Sequence, residues 1–288
     1  MSEELLDLAI ATTGGRKLWS TVCGLKADIS IGGPIWAMKG WPPDKTFDQI
    51  LTLDTIREHI VFTPFTRPDQ QMVFDAAADS VTMQTLDGEP VETLAPARAG
   101  FKGMLRNSAW DALHLGYFLG YACWNYFTTP FLFTYPGVRA REIEPWREAG
   151  QAWRRLQVRF PPEIATHNPD QVFYFDLLGL QRRMDYIVEI NGSTLVGHYT
   201  SRYRPSTACW WRRAAGSSAA TPTTPSTSTC PPSPSTSTMS NWSAPATNRR
   251  NHDHQHHRHR PPRPAAGGGA APPLRRNPRA LRGPRPRG

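Results

Sequence analysis

The sequence predicts an α+β domain built on antiparallel strands, followed by a C-terminal segment of different composition. Apolar and polar residues alternate with a period of two through most of residues 27–203, which is typical of half-buried strands. Two stretches, 3–22 and 108–126, have helical periodicity instead. Because most strands follow one another without an intervening helix, we expect an antiparallel meander rather than a parallel α/β sheet.

The N-terminal helix is predicted over Glu3–Val22. Ser2 can cap it, and the acids that follow favour the positive end of the helix dipole. Gly14-Gly15 should bend or interrupt it, because glycine weakens a helix interior.

The strands are predicted from alternation and from turn residues between them. Asp87-Gly88 and Asn191-Gly192 each indicate a hairpin, and the second is predicted to be a two-residue type I′ turn. The predicted strands cover 27–31, 35–39, 47–53, 60–65, 71–74, 80–85, 91–94, 138–143, 153–160, 171–176, 183–190 and 193–203.

The second helix is unusually aromatic and apolar on nearly all sides, so we expect it to be buried. Ser108 or Asn107 can cap it, with Asp111 in its first turn. Its rings are consistent either with ordinary core packing or with the wall of an apolar ligand cavity, for which Tyr and Trp supply polar handles. On the second interpretation, the candidate ligand-binding residues are Trp110, His114, Tyr117, Tyr121, Trp124, Tyr126 and Phe131.

The formal charge of +9 is unevenly distributed, with a net of −5 in residues 1–200 and +14 in 201–288. A basic folded surface for nucleic acid is therefore not indicated, and we expect no specific nucleic-acid partner. We divide the chain into a domain at 1–203 and a low-complexity segment at 204–288, which is expected to be disordered because it has few apolar residues to bury.

The abrupt change near Arg202–Pro205 favours a shifted reading frame in GC-rich DNA. With TCN serine codons, the codons of Met239–Ser243 read in the shifted frame as Val, a variable residue, Leu and Val, which has strand character. The domain would then be truncated, with an exposed sheet edge. If the segment is genuine, it is a linker, a basic arm for nucleic acid, or a metal-binding cluster formed by His252, His254, His256, His257 and His259.

No catalytic motif is evident. The sequence lacks a P-loop, a GxGxxG loop and a GxSxG elbow, and its cysteines lack CxxC spacing. We therefore expect no cofactor, no metal site in 1–203 and no catalytic residues. The acidic N-terminus does not resemble a secretory signal, and no apolar run is long enough to span a membrane, so we expect a cytoplasmic protein.

The element order resembles the bacterial lipoprotein-carrier family, the LolA/LolB-like half-barrel. The resemblance rests on Thr13–Val22 for the opening helix and, for the late strands, on Phe175-Asp176, Gly179-Leu180, Arg182–Tyr186, Asn191-Gly192 and His198-Tyr199. It implies one curved antiparallel sheet, a half-barrel, with the aromatic helix on its concave face. It also implies an apolar-ligand cavity rather than a reaction.

Three hypotheses follow. The first is a non-enzymatic carrier or sensor of a hydrophobic, lipid-like ligand held between the sheet and the aromatic helix. The second is a small enzyme using the same cavity, with His114, Asp111 or His198 as acid–base groups. The third is a nucleic-acid binder that uses the basic C-terminal segment.

Overall fold

The computed structural model describes residues 3–42, 47–201, 203, 209–212 and 239–243. These residues form an α+β fold with two antiparallel sheets and few helices, as the alternating pattern predicts. The helices are α1 (Glu3–Thr12), α2 (Arg16–Trp19), α3 (Ile35–Met38) and α4 (Ala112–Thr128), with 3-10 turns at Arg98–Phe101, Phe131–Thr134 and Glu189–Asn191. No helix among the described residues is long and apolar enough to cross a membrane.

The first sheet is an antiparallel meander in the order β1-β2-β3-β4-β5-β6. Buried and exposed residues alternate along its strands, as in β2, where Phe47, Leu51 and Leu53 are enclosed together with Gln49, which donates to the Pro64 carbonyl. The strands are β1 (Val22–Gly32), β2 (Phe47–Asp54), β3 (His59–Thr63), β4 (Gln70–Asp75), β5 (Ser80–Thr85) and β6 (Pro90–Leu94).

Two short segments of the C-terminal region extend this sheet, although the sequence predicts disorder throughout 204–288. Strand β12 (Cys209–Arg212) pairs antiparallel with the first half of β1, and β13 (Met239–Ser243) pairs parallel with its second half. The unpaired edge of β1 offers a row of backbone donors and acceptors, which any extended segment can satisfy almost regardless of its side chains. The predicted disorder of 204–288 otherwise falls outside the described residues.

The second sheet has the order β11-β10-β9-β8-β7 and is also antiparallel throughout. The family resemblance implies a single curved sheet, but the structure has two sheets. In neither sheet does the last described strand pair with the first, so neither is closed into a barrel. The strands of the second sheet are β7 (Arg139–Glu148), β8 (Gln151–Arg159), β9 (Asp170–Phe175), β10 (Gln181–Val188) and β11 (Thr194–Tyr199).

The predicted type I′ turn at Asn191-Gly192 is wrong. Val188 pairs with Thr194, so the connection has five residues, including a 3-10 turn, and positive φ falls on Gly192 and Ser193. A tertiary contact explains the difference, because the Asn191 side chain accepts a hydrogen bond from Lys39 Nζ at 2.6 Å. This contact holds the asparagine in the interior, away from a tight turn.

Two further local predictions need correction. The N-terminal helix is interrupted at Gly14-Gly15 as predicted, where φ is +117° and +84°, but β1 already begins at Val22. The predicted strand over 35–39 is the helix α3, where Trp36 is fully enclosed and packs edge-on against Phe47. The burial of the Trp36 ring favours the helix more strongly than the weak alternation of this short segment favours a strand.

Helix α4 is buried along most of its length and packs on β3, β4, β5 and β6. Its N-cap is Asp111, whose carboxylate accepts from the His114 backbone N–H at 2.8 Å, rather than Ser108 or Asn107. Gly116 and Gly120 let the helix approach the sheet closely: a Cβ at Gly120 would lie 2.6 Å from Phe74. The core formed around α4 also includes inward residues of the second sheet.

Candidate functional site

The candidate site is the aromatic helix α4 together with a buried tyrosine–histidine network that links it to the second sheet. Tyr121 Oη lies 2.9 Å from His167 Nδ1, and Tyr126 Oη lies 2.7 Å from His167 Nε2. Tyr126 Oη is also 3.0 Å from Tyr186 Oη, which lies 3.5 Å from His198 Nδ1. These five side chains come from α4, the loop between β8 and β9, β10 and β11.

Two opposite assignments of hydrogens each satisfy these four contacts. In one, Tyr121 donates to His167 Nδ1, His167 Nε2–H donates to Tyr126, Tyr126 donates to Tyr186, and Tyr186 donates to His198. In the other, every donor and acceptor is reversed. A neutral imidazole has one donor and one acceptor, so its two tyrosine partners must play opposite roles. The His167 ring also stacks on Tyr186, with centroids 3.9 Å apart and planes 4° from parallel.

Burial keeps every member of this network neutral. It lowers the pKa of His167 well below its usual value and that of His198 to about 4. It raises the pKa values of Tyr121, Tyr126 and Tyr186. A general acid or base works best with a pKa near the operating pH, so these groups are suited to neutral hydrogen bonding rather than to proton transfer at neutral pH.

A second polar contact fixes the loop that carries His167. The Glu58 carboxylate accepts from the Ala165 backbone N–H at 2.8 Å, and Asn125 Nδ2 of α4 donates to the Ala165 carbonyl at 2.9 Å. Burial raises the pKa of Glu58 well above its usual value. The loop is therefore attached both to α4 and to the start of β3.

The predicted ligand-binding residues lie in an aromatic cluster, where Trp110, His114 and Tyr117 contact Phe101, and Tyr117 contacts Tyr121. Their polar partners differ. The Lys39 ammonium lies over the Trp110 ring, 4.1 Å from the ring centroid. The Tyr117 hydroxyl accepts a hydrogen bond from Arg98 at 3.4 Å. Trp124 donates through Nε1 to the Asp54 carbonyl at 2.7 Å, and Phe131 stacks on Trp19 at 4.2 Å. Only Tyr121 and Tyr126 share the histidine network.

Tyr121 and Trp124 are 0% and 1% exposed, so in this state both are enclosed by the protein. Two surface depressions lie elsewhere. One of about 310 Å³ is lined by residues of β1, β2 and the end of β3, including Asp28 and Asp48. The other, of about 230 Å³, is lined by residues of β7, β8 and β9.

The acid–base groups proposed for an enzyme are separated in their roles. His114 Nδ1 lies 2.7 Å from Asp111 Oδ1, so these two residues form a pair at the helix cap. His198 belongs instead to the tyrosine–histidine network. Within the described residues, no group of three or more His, Cys, Asp or Glu side chains is arranged to hold a metal ion.

Two buried side chains, His167 and Lys39, make hydrogen bonds that the sequence patterns did not predict. His167 lies 41 and 46 residues from its tyrosine partners, and no local spacing predicts such contacts. Lys39 is 0% exposed, and its ammonium donates to the Arg106 carbonyl at 2.8 Å and to Asn191 Oδ1 at 2.6 Å. Burial, together with the positive charge of Arg106, lowers the pKa of Lys39 to about 8.

No protein-family model matches this chain, and no curated protein matches it either.

Proposed function

We propose that the protein is a non-enzymatic carrier of a hydrophobic, lipid-like ligand, with a half-barrel arrangement like that of the lipoprotein carriers. In this proposal, α4 fills the ligand space between the sheets when no ligand is bound. The helix moves aside when the ligand enters, and Trp110, Tyr117, Tyr121 and Trp124 then line the opened space.

The observation that carries the proposal is the character of α4 and of its attachment. The helix is apolar on nearly all faces and contributes to the core of both sheets. Its hydrogen bonds towards the second sheet are made by neutral tyrosine, histidine and asparagine side chains rather than by ion pairs. Neutral hydrogen bonds contribute about 0.5–1.5 kcal/mol each, so these contacts hold α4 less strongly than its apolar packing does, and an apolar ligand can take the place of that packing.

The close fit of Gly120 against Phe74 provides the test. A methyl group at position 120 would lie 2.6 Å from Phe74 Cβ and Cγ, so Gly120→Ala must push α4 and β4 apart. The substitution destabilises the packed state selectively. A ligand that binds only the displaced state should then bind more tightly, by about tenfold for each 1.4 kcal/mol of selective destabilisation.

The measurement is a titration with a fluorescent fatty-acid analogue, followed by displacement with an unlabelled one. Leu156→Ala is the control, because it removes a buried side chain of β8 without pushing α4 from β4. We expect tighter binding in Gly120→Ala and unchanged affinity in Leu156→Ala. No binding by either the wild type or Gly120→Ala, or equal affinity in all three proteins, would contradict the proposal.

A further inference from the structure

The outward face of the second sheet carries a depression lined largely by arginine side chains. Its volume is about 230 Å³, several times the roughly 30 Å³ that one water molecule occupies in the liquid. Arg139 and Arg141 of β7 and Arg159 of β8 line it, together with Ala140, Gln157 and Asp170. Three guanidinium groups therefore lie at the depression.

The strand register places like charges directly opposite one another. Arg139 is paired with Arg159 across β7 and β8, and Arg141 is paired with Gln157. Like charges facing each other across two strands destabilise a sheet. Asp170, opposite Arg159 on β9, forms an ion pair with it at 2.7 Å and offsets only one of the three charges.

Several other arginines of this sheet have carboxylate partners. Arg154 makes a two-pronged contact with Glu142, and Arg183 makes one with Asp185. In the described part of the chain, no carboxylate lies within ion-pair distance of Arg139 or Arg141. Two of the three arginines that line the depression therefore have no carboxylate partner.

We propose that this depression is a binding site for a phosphate group. Guanidinium groups match phosphate oxygens with pairs of parallel hydrogen bonds, and an anion would offset the repulsion between Arg139 and Arg159. Arg159 is paired with Asp170, Arg141 donates a hydrogen bond to Gln157 Oε1, and Arg139 is exposed, so the three guanidinium groups lie side by side at one surface. The site lies on the outward face of the second sheet and does not depend on movement of α4.

The site is tested by two melting temperatures of the Arg139→Gln variant, one measured without phosphate and one with it. Arg139→Gln removes the like-charge contact, so the melting temperature of the anion-free protein should stay level or rise. The same substitution should abolish stabilisation by inorganic phosphate, which we expect to raise the wild-type melting temperature by about 3–6 °C at ten times its dissociation constant. Arg141→Gln should also weaken the phosphate effect.

Arg147→Gln is the matched control. Arg147 is an exposed arginine of the same strand, but it faces Ala152 and does not line the depression. It should retain the full response to phosphate. Chloride at matched ionic strength measures general screening, and an equal effect of chloride would overturn the proposal, as would a phosphate effect that survives in Arg139→Gln.

Sedimentation with vesicles identifies the source of the phosphate group. Binding to phosphatidylglycerol vesicles but not to phosphatidylcholine vesicles, lost in Arg139→Gln, assigns the site to an anionic lipid headgroup. A response to inorganic phosphate without vesicle binding assigns it to a free phosphate ester. If neither probe gives a response that depends on Arg139, the site does not exist. The fatty-acid titration of Gly120→Ala tests the proposed carrier function separately, so its outcome does not depend on the phosphate result.

Discussion

Mild acid should destabilise the fold through the buried histidines, and His198 allows the size of the effect to be calculated. Its pKa falls from 6.5 to about 4 because of burial. The folded state thus favours the neutral ring. The stability that this neutral His198 ring contributes is complete above pH 6.5 and is lost as the pH falls towards 4. Between pH 7.5 and pH 5 the loss amounts to about 2 kcal/mol. His167, whose pKa is also lowered by burial, adds a loss of the same sign.

The assay is urea denaturation at pH 7.5, 6.5, 5.5 and 5. In His198→Phe, which retains a ring of similar size but cannot be protonated, the loss between pH 7.5 and pH 5 should shrink by about 2 kcal/mol. His114→Gln is the control, because His114 is part of the cap of α4 and lies outside the network. An equal acid response in His198→Phe and in the wild type would refute this reasoning.

Three further results are expected. Trp124→Ala should lower the free energy of unfolding of the ligand-free protein by about 3–5 kcal/mol, because the Trp124 ring is enclosed when α4 is packed; a smaller loss in denaturant melting would contradict that packing. Lys39→Met should destabilise the fold by about 1–3 kcal/mol in the same assay, because Asn191 Oδ1 and two backbone carbonyls lose their donor. Sequencing of the gene should reveal an insertion or deletion near the codons of Arg202–Pro205, whereas an unbroken frame confirmed by intact mass would exclude the frameshift.

Much of the fold could be predicted because its signals are local. The alternation in β2, β4 and β5 directly reflects which side chains face the core, and the interruption at Gly14-Gly15 follows from backbone freedom. The burial of α4 follows from its apolar residues on all sides. These features need no knowledge of what the segment packs against.

The features that sequence reasoning missed depend on contacts between distant residues. The Lys39–Asn191 hydrogen bond, which displaces the expected turn, joins residues 152 apart. The His167 network has no regular spacing, and the division into two sheets reflects how α4 and its flanking loops separate β6 from β7. The candidate ligand residues could be recognised as a group of rings, but the polar partners of Tyr117, Tyr121 and Trp124 could not be read from the sequence.

The central claim, that the protein carries a hydrophobic ligand, is tested most directly by native mass spectrometry of freshly purified protein. The account predicts a second mass series, heavier by the mass of one lipid-like molecule, which is lost after delipidation and restored by incubation with the extracted ligand. Gly120→Ala should retain a larger loaded fraction than the wild type, because its packed state is weakened. A single unliganded mass in both proteins, before and after incubation with lipid, would contradict the claim.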